Sequence, residues 1–369
     1  MKKRVYAFLL TCATCLGAMG GFAAPVQAEE KDPSDVKIGV SMATLQEERW
    51  QKDRDTIVAK LKELGVDEDN ILVQSADGDE SKQVTQCENL LTQGVDALII
   101  LAQNGDACAP VVTSAHESGV KVVAVDRLVT NCDLDFFVTF DCYYVGVAQA
   151  KYITENCTDE GNWIMIAGSP TDPNAQLIRD GQMEIVQPLI DEGKVKVVMD
   201  QAAAGWDPDE ALKYTEQGLT ANNNDIQCVF TSNDGCAGAA IEALKEQGLA
   251  GKVPVPGLDA DLAACQRIVE GTQTLTVYRK LAIEDEIAAQ VACGFATGKE
   301  PSEVITNEEI TTKNNGAVDV PAILLNGEEQ MFAVDASNME EIVKDGWLKA
   351  EDIYANVDPS EWPEWTANY

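Results

Sequence analysis

The feature that most constrains this chain is a rhythm that begins at Val36. Short apolar, β-branched runs alternate with amphipathic stretches of helical period. Runs at 36–42, 71–76, 95–102 and 120–126 make a first series, and FFVTF at 136–140 follows as a linking strand. A second series occupies 162–169, 195–201, 226–233, 253–259 and 274–278. Between the runs, the segments 46–64, 79–93, 143–156, 174–191 and 207–219 repeat apolar residues at helical spacing. Several helices close on Gly just before the next strand, as in ELGV, TQGV, ESGV and EQGL. Strands that are apolar along their whole length belong to parallel sheets covered on both faces, with helices as the connections. Two such series predict an α/β fold of two doubly wound parallel-sheet domains.

Open parallel sheets bind ligands beyond the carboxyl ends of their strands. Those ends are polar here. The run VKVVAVDRL (120–128) stops at Asp126-Arg127, opposite charges that one strand would point to opposite faces. Beyond the pleat they can converge on one rim. The first strand is followed by TLQEERW, where Arg49 and Trp50 open a helix. The second series offers Asp172 and Asn174 in GSPTDPNA, Trp206 in AAAGWDP and Asn233 and Asp234 in TSNDG. It continues with Asp259 in GLDAD and Arg279 and Lys280 in VYRK. Carboxylates and amides accept from hydroxyls and Arg donates in a fork, so the set suits a polyol. Trp offers a flat apolar face to a sugar ring.

Each of these residues also has a plainer reading. Asp126, Asp259 and Asp234 fit helix N-caps, and Asp234 could equally hold Asn233. Arg127 fits a surface ion pair, Trp206 a packing residue before a helix start, and Trp50 packing more than ligand contact. The collective pattern is the stronger signal. It includes no G-x-x-x-x-G-K-[ST] or G-x-G-x-x-G cradle for phosphate. A single His116 and no G-x-S-x-G elbow argue against hydrolytic catalysis, and a glycosidase carboxylate pair has no specificity among so many acids. The reading is a binding protein, not an enzyme.

Composition narrows the setting. Lys and Arg total 27 against 62 Asp and Glu, a net charge of −35, which works against nucleic acid. Residues 1–28 pair a basic MKKR with an apolar run and end in PVQA, an export signal cut after Ala28. Of eleven cysteines, Cys12 and Cys15 lie in that leader, and the odd nine that remain leave at least one free. Cys228 sits in an apolar run and reads as core. One histidine and scattered cysteines do not make a zinc site, and no cofactor is expected.

Eight stretches then point to a family. They are ERWQKDRD (48–55), VQSADGDE (73–80), VDRL (125–128), GSPTDPNAQL (168–177), LTANNN (219–224), SND (232–234), GLDADLA (257–263) and GTQTLTVY (271–278). The chain from about Val36 to Asp319 resembles the type I periplasmic sugar-binding family, in particular its D-xylose-binding branch serving bacterial ABC importers. That resemblance implies two lobes joined by a three-crossover hinge that closes on one monosaccharide. It implies a monomer in the periplasm that meets an ABC permease, or a chemoreceptor or sensor kinase.

It further implies lobes at 36–141 plus 281–312 and at 142–280 plus 313–345, with a C-terminal extension at 346–369. By motif, Arg49, Asp126 and Arg127 would contact the sugar from the first lobe. Asn174, Trp206, Asn233 and Asp259 would do so from the second, with Asp172 and Asp234 at neighbouring positions. One departure bears on ligand choice: the xylose-binding pattern has Lys after TVY, where this chain has Arg279. L-Arabinose, D-glucose, D-galactose and D-ribose are the rival ligands. A transcription regulator of the same fold is opposed by the leader, the acidity and the lack of a helix-turn-helix segment before Val36.

Overall fold

The computed structural model describes residues 30–369, so the leader with Cys12 and Cys15 lies outside the described residues. The first series folds as β1 (Ile38–Met42), α1 (Glu48–Glu63), β2 (Ile71–Ser75), α2 (Glu80–Thr92), β3 (Ala97–Ile100), α3 (Ala109–Glu117), β4 (Lys121–Val125) and β5 (Phe136–Phe140). The second folds as α4 (Cys142–Asn156), β6 (Gly161–Ala167), α5 (Pro173–Asp191), β7 (Val195–Ala202), α6 (Pro208–Ala221), β8 (Cys228–Thr231), α7 (Asp234–Glu246), β9 (Pro256–Leu258), α8 (Leu262–Val269) and β10 (Leu275–Arg279). The chain ends with α9 (Ala282–Thr297), α10 (Pro301–Val304), β11 (Thr311–Asn314), β12 (Asp319–Leu325), β13 (Met331–Val334), α11 (Glu340–Lys344) and α12 (Ala350–Ile353).

Both faces of the first sheet are buried, which is why its strands read as unbroken apolar runs. In β4, Val123 and Val125 enter one core while Val122 and Ala124 enter the other. β3 divides in the same way, with Ala97 and Ile99 on one side and Leu98 and Ile100 on the other. In the second lobe, Trp163 and Met165 of β6 face one core and Ile164 and Ile166 the opposite one. Helix α1 buries Trp50, Asp53, Ile57 and Leu61, a stripe at spacings of three and four. Asp53 therefore occupies a core-facing position. Gly119 (φ 73°) makes the left-handed turn that ends α3 and launches β4.

The first sheet has the order β11-β12-β5-β4-β3-β1-β2, parallel except at the β11–β12 edge. The second lobe carries β7-β6-β8 and β13-β10-β9. These two pieces abut, because Val229 N–H of β8 donates to Pro254 C=O just before β9 (3.1 Å). The chain passes between lobes after β5, after β10 and after β12.

One sequence assignment is corrected. Residues 313–325 do not belong to the second lobe: β12 pairs in parallel with β5, Ala322 opposite Phe137 through Leu325 opposite Phe140. The edge of β5 is open to pairing, and β12 buries Val320, Ala322, Ile323 and Leu325 against it. The chain returns to the second lobe with β13, antiparallel to β10. The segment 346–369 packs there as well. Trp347, Tyr354, Trp362 and Trp365 cluster with Cys265, Ile268 and Tyr278.

Among the described residues no helix is long and apolar enough to cross a membrane, and no cluster of His, Cys, Asp and Glu could hold a metal. All nine described cysteines are free thiols, eight of them buried, Cys228 included; Cys157 is exposed.

Candidate functional site

The carboxyl ends of the strands meet between the lobes around a narrow cleft that the side chains of its walls largely fill. Its walls include nine of the ten residues singled out from the sequence, and each arrives by a local device. Arg49 stands in the first turn of α1. Asp126 leaves β4 with its N–H on Val138 C=O (2.9 Å) and its own C=O accepting from Thr139 Oγ1 (2.8 Å). At φ 60° its backbone departs from the strand, so Arg127 no longer points to the opposite face. This resolves the adjacent charges at the strand end.

From the second lobe, Asp172 is the N-cap of α5, accepting from the Asn174 N–H (2.9 Å). Asn233 caps α7 in the same way, accepting from the Cys236 N–H (3.0 Å). Asp126 and Asp259 cap no helix. Trp206 lies in the turn before α6, Asp259 just after β9, and Arg279 is the last residue of β10. Trp206 (φ 61°) and Asp259 (φ 99°) share the left-handed backbone of Asp126. Such conformations cost on the order of 1–3 kcal/mol each and persist where the surroundings over-determine them.

Ion pairs link the two walls. Arg279 donates through Nη1 to Asp126 Oδ1 (3.0 Å) and through Nη2 to Asp259 Oδ1 (2.9 Å). Arg49 holds Asp53 (2.8 Å), reaches Asp126 (3.3 Å) and stands 3.8 Å from Asp259. Arg127 Nε is 2.6 Å from Asp172 Oδ2. Asn174 Nδ2 crosses the cleft to donate to the Asp126 carbonyl (2.9 Å). Burial alone would raise the Asp126 carboxyl, but Arg49, Arg279 and Arg127 outweigh it and hold the group at about 2. At Asp53 burial prevails over Arg49 and pushes the carboxyl up to about 6. Burial likewise raises Asp172, with Arg127 opposing.

Two indoles complete the walls. Trp206 donates Nε1–H to Asp172 Oδ2 (3.0 Å). Its ring rests on Gly168, where a Cβ would stand 2.2 Å from Cη2, so no other residue allows this seat. Trp50 lies under two guanidiniums, 4.0 Å from Arg49 Cζ and 4.8 Å from Arg127 Cζ. It both packs and lines the cleft.

Asp234 is the exception among the ten residues. Its carboxylate accepts from Gln273 Nε2 (2.7 Å), Thr276 Oγ1 (2.9 Å) and the Asp261 N–H (3.1 Å), so it ties α7 to β10 and does not line the cleft. Burial and the nearby Asp259 push it up to about 7. Lys280 turns outward to Asp345 (3.1 Å). Sequence reasoning missed Glu47, Cys142, Ile178 and Leu258 on the cleft wall. Glu47 and Leu258 follow the strand-end rule and could have been found by it. Cys142 and Ile178 sit on helices with no such signal.

Two parallel-sheet lobes, three crossovers and a polar cleft at the strand ends define a two-lobed solute receptor. The chain belongs to the periplasmic binding protein family, residues 38–300 matching the model of the periplasmic binding protein domain. It is 44% identical over 320 residues to the D-xylose-binding periplasmic protein of Escherichia coli (strain K12), covering 86% of this chain and 93% of that one. It is likewise 44% identical over 342 residues to the protein of that name from Haemophilus influenzae, covering 92% and 97%. Among solved structures it resembles a carbohydrate transporter solute-binding protein of Chloroflexus aurantiacus in complex with D-glucose. There the TM-score is 0.77 at 27% identity, over 86% of this chain and 98% of that one.

Proposed function

We propose that this protein is an exported receptor that captures one neutral monosaccharide, D-xylose first, and delivers it to an ABC importer by closing its lobes. The carrying observation is the charge balance of the cleft. Arg49, Arg127 and Arg279 face Asp126, Asp172 and Asp259, with Trp206 on one wall. Three cations facing four carboxylates, Glu47 included, leave no surplus positive charge for a phosphate or a carboxylate ligand. The forks and oxygens instead suit the donor and acceptor pattern of a polyol. The two xylose-binding relatives favour D-xylose, and the D-glucose complex of the Chloroflexus aurantiacus neighbour makes D-glucose the first rival.

Residues from both lobes would touch one sugar, so the ligand stabilises the closed state by its differential affinity. Arg127, Asp126 and Asn174 would bind hydroxyls, and Trp206 would stack on the ring. In this reading the protein binds without catalysis, works as a monomer in the periplasm after loss of residues 1–28, and presents its closed form to the permease.

The test is calorimetric titration of residues 29–369 with D-xylose, L-arabinose, D-glucose, D-galactose and D-ribose. One-to-one binding of D-xylose that is lost in Arg127→Ala and in Trp206→Ala is expected. Tighter binding of another aldose would change the cargo. Absence of binding to all five would end the sugar-receptor reading.

A further inference from the structure

Four residues, 47–50, open α1 at the cleft side of the first lobe, and three of them have assigned partners. Glu48 accepts from the Leu262 N–H (3.1 Å), Arg49 reaches Asp126 and Asp259, and Trp50 underlies Arg49 and Arg127. Glu47 differs. It is the N-cap residue of α1 yet makes no side-chain cap bond. It lines the cleft, and its Oε2 is buried with no hydrogen-bond partner in the protein. Asp126, Asp172 and Asp259 on the same walls each have a guanidinium within 3.0 Å. Glu47 has no ion pair among the described residues.

Glu47 belongs to the first lobe and lines the same cleft as Trp206 and Asn233 of the second. A buried acceptor without a donor costs free energy, and a ligand that supplies the donor removes that cost.

We propose that Glu47 is a specificity-determining residue of the cleft, its Oε2 accepting one hydroxyl of the bound monosaccharide beside Trp206. This rests on the sugar-receptor reading. The consequence is selective: a sugar that lacks this hydroxyl leaves the carboxylate oxygen unmet, whereas hydroxyls elsewhere on the ring do not sense Glu47. A site built to bond a hydroxyl rejects the analogue without it more strongly than an apolar pocket rejects an added one.

The test titrates the parent, Glu47→Gln and Glu47→Leu with D-xylose, its monodeoxy analogues, D-glucose and D-glucosamine, after thermal melts show all three proteins folded. Glu47→Leu should weaken D-xylose by roughly 10- to 100-fold. Glu47→Gln, which keeps an acceptor oxygen, should weaken it less. One monodeoxy analogue alone should bind Glu47→Leu at least as tightly as the parent, marking the partner hydroxyl. Three results overturn the assignment: equal affinities for D-xylose in all three proteins; the same loss for every deoxy analogue, which marks a general effect on closure; or D-glucosamine binding the parent tighter than D-glucose and losing that advantage in Glu47→Gln, which makes an ammonium the partner. If the parent bound neither D-xylose nor D-glucose, the receptor reading would fall for these sugars and this inference with it.

Discussion

Arg279→Lys is the most informative single change, because lysine is what the xylose-binding pattern carries at this position. The Arg279 fork makes two charge-assisted bonds at once, to Asp126 in the first lobe and to Asp259 in the second. An ammonium is a point donor and replaces one arm of the fork, not both. The lost bond is worth about 1.5–3 kcal/mol, or roughly a 10- to 150-fold change in an equilibrium constant.

The loss falls mainly on the closed state. When the lobes part, Asp259 can keep its partner within the second lobe, and Asp126 can keep Arg49 within the first. Arg279→Ala removes both arms, and breaking a buried pair costs about 3–5 kcal/mol. The low end applies here, because Arg49 still faces Asp126 at 3.3 Å and Asp259 at 3.8 Å. Calorimetry with D-xylose, combined with small-angle scattering of free and saturated protein, separates weaker contact from weaker closure. Arg279→Lys binding D-xylose within twofold of the parent, with the same compaction, would refute the cross-lobe role.

Three further outcomes are expected. Glu284 and Asp285, in the first turn of α9, are buried with none of their four carboxylate oxygens hydrogen-bonded, facing Asp53, Asp126, Arg49 and Arg279. Burial raises both carboxyls well above their ordinary values, so the folded chain holds protons there that the unfolded chain releases above about pH 4.5. Their contribution is full below that pH and is lost as pH rises. Glu284→Gln should therefore flatten the fall of the urea midpoint between pH 5 and 8, by up to about 1.4 kcal/mol per pH unit, and an unchanged slope would exclude this. A thiol reagent should modify one cysteine, Cys157, quickly in the native protein and all nine after denaturation; two or more fast thiols would contradict the burial of the other eight. Lys52 of α1 donates to the Trp347 carbonyl (2.9 Å) and sits 3.8 Å over its ring, so Lys52→Ala should weaken D-xylose about two- to fivefold. Unaltered affinity and tryptophan emission would show that this contact does not support closure.

Much of the fold is legible because period and burial coincide. Runs such as VKVVAVD are apolar throughout because both faces of β4 are covered, and the strand-end rule then finds nine residues of one cleft. Other parts have no local signature. The chain reaches β5 with β12 after a long excursion, and VPAILL reads equally well in either lobe until its pairing is known. SND resembles a ligand motif as a unit, yet Asn233 lines the cleft while Asp234 turns beneath it to Gln273 and Thr276. The acids of AIEDEIAAQ look like a solvated first helical turn. Glu284 and Asp285 are instead buried, while Glu286 stays exposed, because α9 crosses from β10 into the first lobe and packs against α1.

The closed cleft explains how a neutral ligand can govern a strongly charged site. Ion pairs such as Arg127–Asp172 and Arg279–Asp126 form across the lobes, but each exchanges hydration for Coulomb attraction and contributes little net bias toward closure. The bias must come from groups that closure buries and the protein leaves unmet. Two kinds stand on the cleft wall, the acceptor Glu47 Oε2 and the donors Arg279 Nε and Arg127 Nε, the last close to Asp172 but not aligned for a hydrogen bond. Each unmet buried group opposes closure by about 1–3 kcal/mol. A polyol presents hydroxyls that both donate and accept, so one sugar can relieve both and shift the population toward the closed form. The charged residues then set the shape and register of the cleft, while the unpaired atoms among them make its closure depend on ligand.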